Sequence, residues 1–361
     1  FAFNRLDLQN IVNIVNILVQ TGLIVILFTI FGPDLAMVGG AYLIGAIVAS
    51  LVSIAFARRV CPQLRVSIRF FDRSKIRDLG GMGWWVVVNQ IGSLLFLQID
   101  LIVVNLLFGD TSAGEYAIAL QWVILLRAVA GVLSSILTPT IFSCYARGET
   151  ESLIRITKSA VKLLGLAIAL PVGLVCGLAP QLLTIWVGEE FTFLAPLMIV
   201  LTIHMTINLA VLPLFSINVA HNKVRIPGIL TFFMGFGNLA LAIVLPLLTG
   251  WGYYGIAIAG AIVLTLKNAL FTPWYATRVL KINSHAFTSS MLPGVAATAL
   301  IIAAAMMLGM ALPLDTLALL VVTGLIITVT YIIMVWRFGL NRYERELFES
   351  YIPEKLRRNP I

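Results

Sequence analysis

Ten apolar windows, each long enough to cross a bilayer, limit this chain to very few architectures. They run near residues 10–32, 36–57, 82–108, 115–142, 160–180, 193–217, 227–249, 253–277, 290–311 and 315–336. Inside hydrocarbon every backbone N–H and C=O must be satisfied by protein, which leaves only helices and closed barrels. Windows of about 20 residues are the length of a spanning helix, twice that of a barrel strand. Only 11% of the residues are charged, against about 25% in soluble domains. The chain therefore reads as an all-α polytopic membrane protein of about ten transmembrane helices.

The connections alternate between two kinds. One kind is short and free of Lys and Arg, as in GPDLA (32–36), GDTSAGE (109–115), WVGEEFT (186–192), GWGYYG (250–255) and PLDT (313–316). The other is basic, and together with the two ends it holds 22 of the 24 Lys and Arg residues. The positive-inside rule places that basic face, and both ends of the chain, in the cytoplasm. A net charge of +8 is thus accounted for by topology and by contact with inner-leaflet lipid, with no need of nucleic acid as a partner. Residues 58–80 form the one long internal hydrophilic stretch. They alternate apolar and basic residues at helical spacing, as a surface helix or a solvated connector would. The tail from Leu340 to Arg358 reads the same way.

Chemical signatures are sparse. No Gly-rich phosphate loop, HExxH, paired-Cys motif or Ser elbow occurs. With outer connections this short, an enzyme is not expected. Cys61, Cys144 and Cys176 lack metal or redox spacing and read as unpaired thiols. No cofactor or metal is expected.

The informative residues are the ionisable ones inside spans: Asp100, Arg127, His204 and Lys267. Counting from the outer turns at 1.5 Å per residue places all four roughly 13–20 Å deep, near mid-bilayer. A charge there costs at least about 2.5–3.5 kcal/mol, so each should face a partner or a wet cavity. Asn89, Ser93 and Asp100 share one helical face, and Tyr116, Arg127, Ser134 and Thr138 share another on the next span. Folding the hairpin about residues 111–112 sets Asp100 opposite position 123, within reach of Arg127. Asp100 and Arg127 then either form an ion pair or face a common cavity. Lys267 meets no acid at its depth and suits a cavity that receives an anion. His204 suits a neutral, hydrogen-bonded imidazole. Pro139, Pro171, Pro196 and Pro213 interrupt spans and allow bending.

Three stretches, LFLQIDLIVVNLLFGDTSAGEYAIA (95–119), LLTIWVGEEFTFLAPLMIVL (182–201) and NVAHNKVRIPGILTFFMGFGNLALAIVLPLLTGWGYYGIAIAG (218–260), resemble the polysaccharide transporter family, the Wzx-like O-antigen and exopolysaccharide flippases of the superfamily that includes multidrug MATE exporters and lipid II flippases. The resemblance implies a two-lobed bundle with the first lobe incomplete. Residues 1–57 would be its remnant, 58–80 the inter-lobe linker, 81–278 a six-helix second lobe, and 279–361 two further helices and a cytoplasmic tail. It also implies export of a polyprenyl-diphosphate-linked oligosaccharide across the cytoplasmic membrane for surface polysaccharide synthesis, by ion-coupled alternating access. Arg127 and Lys267 would contact the anion, Asp100 would couple or gate, and Asn89, Ser93, Tyr116, Ser134 and His204 would line the cavity. Partners would be the lipid-linked glycan, a coupling proton or sodium ion, membrane lipids, and the glycan polymerase and assembly proteins. The rival expectations are a lipid II flippase, a MATE-type drug or cation antiporter, and, from another class, a membrane enzyme of glycan assembly.

Overall fold

The computed structural model describes residues 6–61, 73–312, 314 and 316–351. Among them there are helices and turns and no strand. They form two compact units, residues 1–76 and 77–361. The first contains α1 (Leu6–Phe31) and α2 (Leu35–Val60), an antiparallel pair joined at Gly32–Asp34. Asp34 caps α2 by accepting from the Ala36 N–H at 3.1 Å, supplying one of the orphan donors of a helix start. The expected surface helix in 58–80 falls mostly outside the described residues, as does the tail beyond Tyr351.

The second unit starts within α3 (Arg73–Leu97) and continues through α4 (Ile99–Ala146) and α5 (Thr150–Gly177). Short α6 (Ala179–Trp186) follows, and then one span in three pieces: α7 (Ala195–Ile203), α8 (Met205–Ala210) and α9 (Leu212–Ala220). Next come α10 (Arg225–Thr249), α11 (Tyr253–Leu266), α12 (Thr272–Leu280), α13 (Thr288–Ala311), α14 (Leu317–Met334) and α15 (Arg342–Tyr351). Of the four prolines singled out by sequence, Pro139 and Pro171 stay inside continuous helices. Pro196 starts α7, and Pro213 follows the break at Val211.

Nine helical stretches among the described residues are long and apolar enough to span a membrane, and one of them, Gly83–Ala146, has 64 residues. A straight helix of that length would reach about 96 Å, three times the hydrocarbon thickness. It is in fact a hairpin. Gly109 breaks it with φ 83° and ψ 178°, and side chains 16 positions apart, Asp100 and Tyr116, meet across the fold. Glycine alone takes that φ without strain. Split at Gly109, the nine stretches give ten apolar helical segments of spanning length among the described residues, matching the ten apolar windows.

The core of the second unit is apolar packing between α4, α5, α7 and α11. At the other face α13 lies along α5. There the contact is close enough that a Cβ on Gly173 would sit 2.5 Å from Ile301 Cγ2. Membrane helices gain no hydrophobic drive from lipid and associate through such small-residue packing. Gly173→Leu should therefore force the helices apart, at about 1–3 kcal/mol or more. A lowered melting temperature in detergent is the expected result; an unchanged one would mean the interface gives way freely.

Candidate functional site

The hairpin at Gly109 decides what Asp100 meets. A turn there sets residue 100 opposite about position 118 rather than 123, and Arg127 lies some nine residues (about 13 Å) farther along the returning arm. Tyr116 takes the near place: its hydroxyl donates to Asp100 Oδ2 at 3.5 Å. Asn238 Nδ2 of α10 donates to Oδ1 at 3.3 Å. Gly260 of α11 backs the carboxyl so closely that a Cβ would lie 3.1 Å from Oδ2. Asp100, Tyr116 and Asn238 are all buried. Among the described residues Asp100 has no cation within 4.0 Å. Asp100 and Arg127 instead line one small cavity with His204, of about 20 Å³, which is room for about one water. In this conformation they share a cavity and form no direct pair.

A second, much larger cavity of about 570 Å³ lies between α3, α4, α8, α9, α10 and the α11–α12 junction. Asn89, Ser93 and Ser134 line it, with Thr138, Asn208, Ser216, Asn218, Thr231, Lys267 and Asn268. Its residues belong to the halves of these helices nearer the basic connections, so it extends from mid-depth toward that end. Asn218 Oδ1 and Thr231 Oγ1 are buried and have no hydrogen-bond partner among the described residues. An unmet buried polar atom costs about 1–3 kcal/mol, and both belong to residues of the cavity wall.

Lys267 opens a π-helical turn, Lys267–Phe271. Pro273 explains it, for proline has no N–H and crowds the carbonyl four residues back. The widened turn relieves this, and the Thr272 N–H bonds to Lys267 O. Such insertions gather at functional sites. The Lys267 ammonium lies 5.9 Å from the Phe96 ring centroid, near enough for a cation–π contact, and has no carboxylate within 4.0 Å among the described residues. It also borders an apolar groove of about 310 Å³ formed by Leu230 and Met234 of α10 with Leu266, Leu270, Phe271 and Trp274. One cation thus stands where a polar cavity and an apolar groove adjoin.

Of the residues singled out by sequence, the structure brings Asn89, Ser93, Ser134 and Lys267 to the large cavity and Asp100, Arg127 and His204 to the small one. Arg127 and Lys267 therefore do not share a wall. The two cavities are linked by amides that attention to charge passed over. His204 Nδ1 accepts from Asn208 Nδ2 at 2.7 Å. Asn268 Nδ2 donates to Asn208 Oδ1 at 3.1 Å, and Thr272 Oγ1 donates to Asn268 Oδ1 at 3.2 Å. Asn208, Asn238 and Asn268 are each the single amide of an apolar window, and that is their signal.

A family model described as "Polysaccharide biosynthesis protein" matches residues 2–145. A protein of Bacillus subtilis (strain 168) named "Uncharacterized membrane protein EpsK" is 35% identical over 347 residues, which is 96% of this chain and 69% of that protein. No solved structure matches the chain. The chain is a multi-pass membrane protein of the polysaccharide biosynthesis family, to which its likeness to EpsK over almost its whole length also assigns it.

Proposed function

We propose that the protein is a flippase that carries a polyprenyl-diphosphate-linked oligosaccharide across the cytoplasmic membrane. The observation that carries this reading is the position of Lys267. A lipid-linked glycan is polar at one end, doubly anionic in the middle and hydrocarbon at the other. The polar cavity, the Lys267 ammonium and the apolar groove present matching surfaces in the same order. Sugar hydroxyls would meet Asn89, Ser93, Ser134, Asn218 and Thr231, the diphosphate would meet Lys267, and the first isoprene units would lie against Leu230, Leu270 and Trp274. Family membership supports the polysaccharide side of this reading. The charge distribution supports basic connections and chain ends in the cytoplasm, and the cavity extends toward that side, where the substrate is made. Polymerase and assembly proteins on the outer face would receive the product.

Arg127 and Asp100 take a different part here. They lie in the small cavity next to the outer half of the bundle, joined to the large one through His204 and Asn208. We assign them to coupling: a proton or sodium ion at Asp100 changes its bonds to Tyr116 and Asn238, and so the packing of the hairpin against α10. One charge moved through 100 mV supplies about 2.3 kcal/mol, enough to bias a two-state bundle about fifty-fold. Asp100→Asn keeps the planar shape of the carboxyl group and removes the ionisable group. It should leave substrate binding intact and abolish the dependence of transport on the ion gradient.

The direct test is reconstitution of the complete protein in proteoliposomes with a fluorescent polyprenyl-diphosphate oligosaccharide, its sidedness read by a quencher or lectin outside. Gradient-dependent translocation above that of empty vesicles is expected. Translocation at the empty-vesicle rate under proton and sodium gradients alike would remove the flippase reading.

A further inference from the structure

Away from both cavities, basic side chains also converge on one face of α5. Arg155, Lys158 and Lys162 follow at i, i+3 and i+7 on α5, so they share a face of that helix. With Ser289 and Ser290 of α13 and Tyr343 of α15 they line a pocket of about 400 Å³. None of these residues lines the large or the small cavity.

The pocket keeps a positive charge after its internal contacts are counted. Glu344, buried, takes the Lys162 ammonium at 2.7 Å. Arg155 stacks over the Tyr343 ring, 5.4 Å from the centroid, which fixes its position without neutralising it. Lys158 has no carboxylate within 4.0 Å among the described residues. Three cations less one carboxylate leave a formal charge of +2. Burial raises the Tyr343 phenol above its ordinary range, the neighbouring Arg155 opposing this only in part, so its hydroxyl stays a neutral donor. The pocket thus offers two uncompensated cations and a phenol to an anion.

Depth indicates where that anion comes from. The 28 residues of α5 reach about 42 Å, and the hydrocarbon core takes about 30 Å of that. If the apolar end, Gly177, marks one edge of the core, Arg155 and Lys158 sit at the headgroup level of the opposite leaflet. Just below them on α13, Leu292 and Val295 are exposed, an apolar surface along which acyl chains can lie. We propose that this pocket is a binding site for a phosphate ester anion, with an anionic phospholipid headgroup as the source its depth favours. Basic recesses between transmembrane helices on the cytoplasmic side are suited to such headgroups. The bound lipid would bridge α5, α13 and α15 and hold the last helix against the bundle.

The full chain in nanodiscs tests this, with melting temperature and native mass spectrometry as readouts. Discs of phosphatidylcholine alone are compared with discs containing phosphatidylglycerol, and with phosphatidylcholine discs given millimolar glycerol phosphate. The expected result is a retained phosphatidylglycerol adduct and a raised melting temperature for the wild type. Each lost cation should weaken retention about fivefold, so the double variant Arg155→Gln/Lys158→Gln falls about 25-fold, while Lys158→Arg keeps it. A shift with glycerol phosphate that the double variant lacks would uphold the anion site and make a soluble ester its source. Equal melting in the two lipids, or equal adducts on wild type and double variant, would overturn the proposal. Lys158→Gln alone, at a partly exposed position, repeats the test with a single change should the double variant fail to fold. Transport is not measured, so failure here leaves the flippase reading untouched.

Discussion

On the flippase reading, Lys267→Met should lower glycan export at least about tenfold while leaving the protein as abundant as the wild type and at least as stable. The two halves of this expectation come from one fact, that the ammonium is in a membrane span with no carboxylate within 4.0 Å among the described residues. A cation at mid-depth costs at least about 2.5–3.5 kcal/mol on insertion scales. Methionine fills nearly the same volume without that cost, so the melting temperature should hold or rise. A hydrogen bond to a charged group contributes about 1.5–3 kcal/mol. Loss of one or two such bonds to a diphosphate therefore lowers transport by at least about tenfold. Lys267→Arg, which keeps the charge but moves it outward on a planar fork, should restore part of the activity. Surface polysaccharide measured against protein abundance, with melting temperature alongside, separates the outcomes. Export that falls only in proportion to abundance would make Lys267 a structural residue. A stability gain joined to a loss of function is the signature of a site residue.

The crossings and the basic face were legible because both are one-dimensional properties, a run of apolar residues and an alternation of loop charge. The polar stripe on α3 was legible too: Asn89 and Ser93 repeat at helical spacing and do face the large cavity. The lack of a direct Asp100–Arg127 pair was not, because it depends on where the hairpin turns. A fold at Gly109 rather than two residues later replaces Arg127 by Tyr116 as the group that reaches Asp100. Asn208, Asn238 and Asn268 escaped for another reason. Each is a single amide without a periodic companion, and its importance comes from bonds to other helices, such as Asn268 to Asn208 across 60 positions. Glu344 was hidden more deeply still. In a tail dense with charge it looks like one more solvated acid, and its partner stands 182 positions away.

Glu344→Ala should release the last helix from the bundle. Glu344 Oε2 accepts from the Lys162 ammonium at 2.7 Å, and Oε1 from the Ser159 hydroxyl at 3.5 Å. It also closes a capping box at the start of α15. The Asn341 N–H donates to Glu344 Oε2 at 2.9 Å, and the Glu344 N–H donates to Asn341 Oδ1 at 2.8 Å. Such reciprocal bonds satisfy two orphan donors of the helix start. Breaking a buried ion pair by removing one partner costs about 3–5 kcal/mol, chiefly because the other charge is left uncompensated. The side chains here are 2% exposed for Glu344 and 19% for Lys162, so a value toward the lower end is expected. A helix of 10 residues has little stability of its own in water, and a loss of that size should expose amides 342–351 to hydrogen exchange about a hundredfold faster, with the transmembrane core unchanged. Glu344→Gln keeps an acceptor for the cap and loses only the charge, so its effect should be smaller. Lys162→Ala strands a buried carboxylate and should equal or exceed Glu344→Ala. Replacing both by leucine removes the stranded charge from each single variant, and that pair should recover most of the protection. If exchange in Glu344→Ala matches the wild type, α15 is held by Leu340 and Tyr343 alone and the ion pair is incidental. If the double leucine variant is as loose as the singles, the pair positions α15 through its geometry, and its charge is secondary.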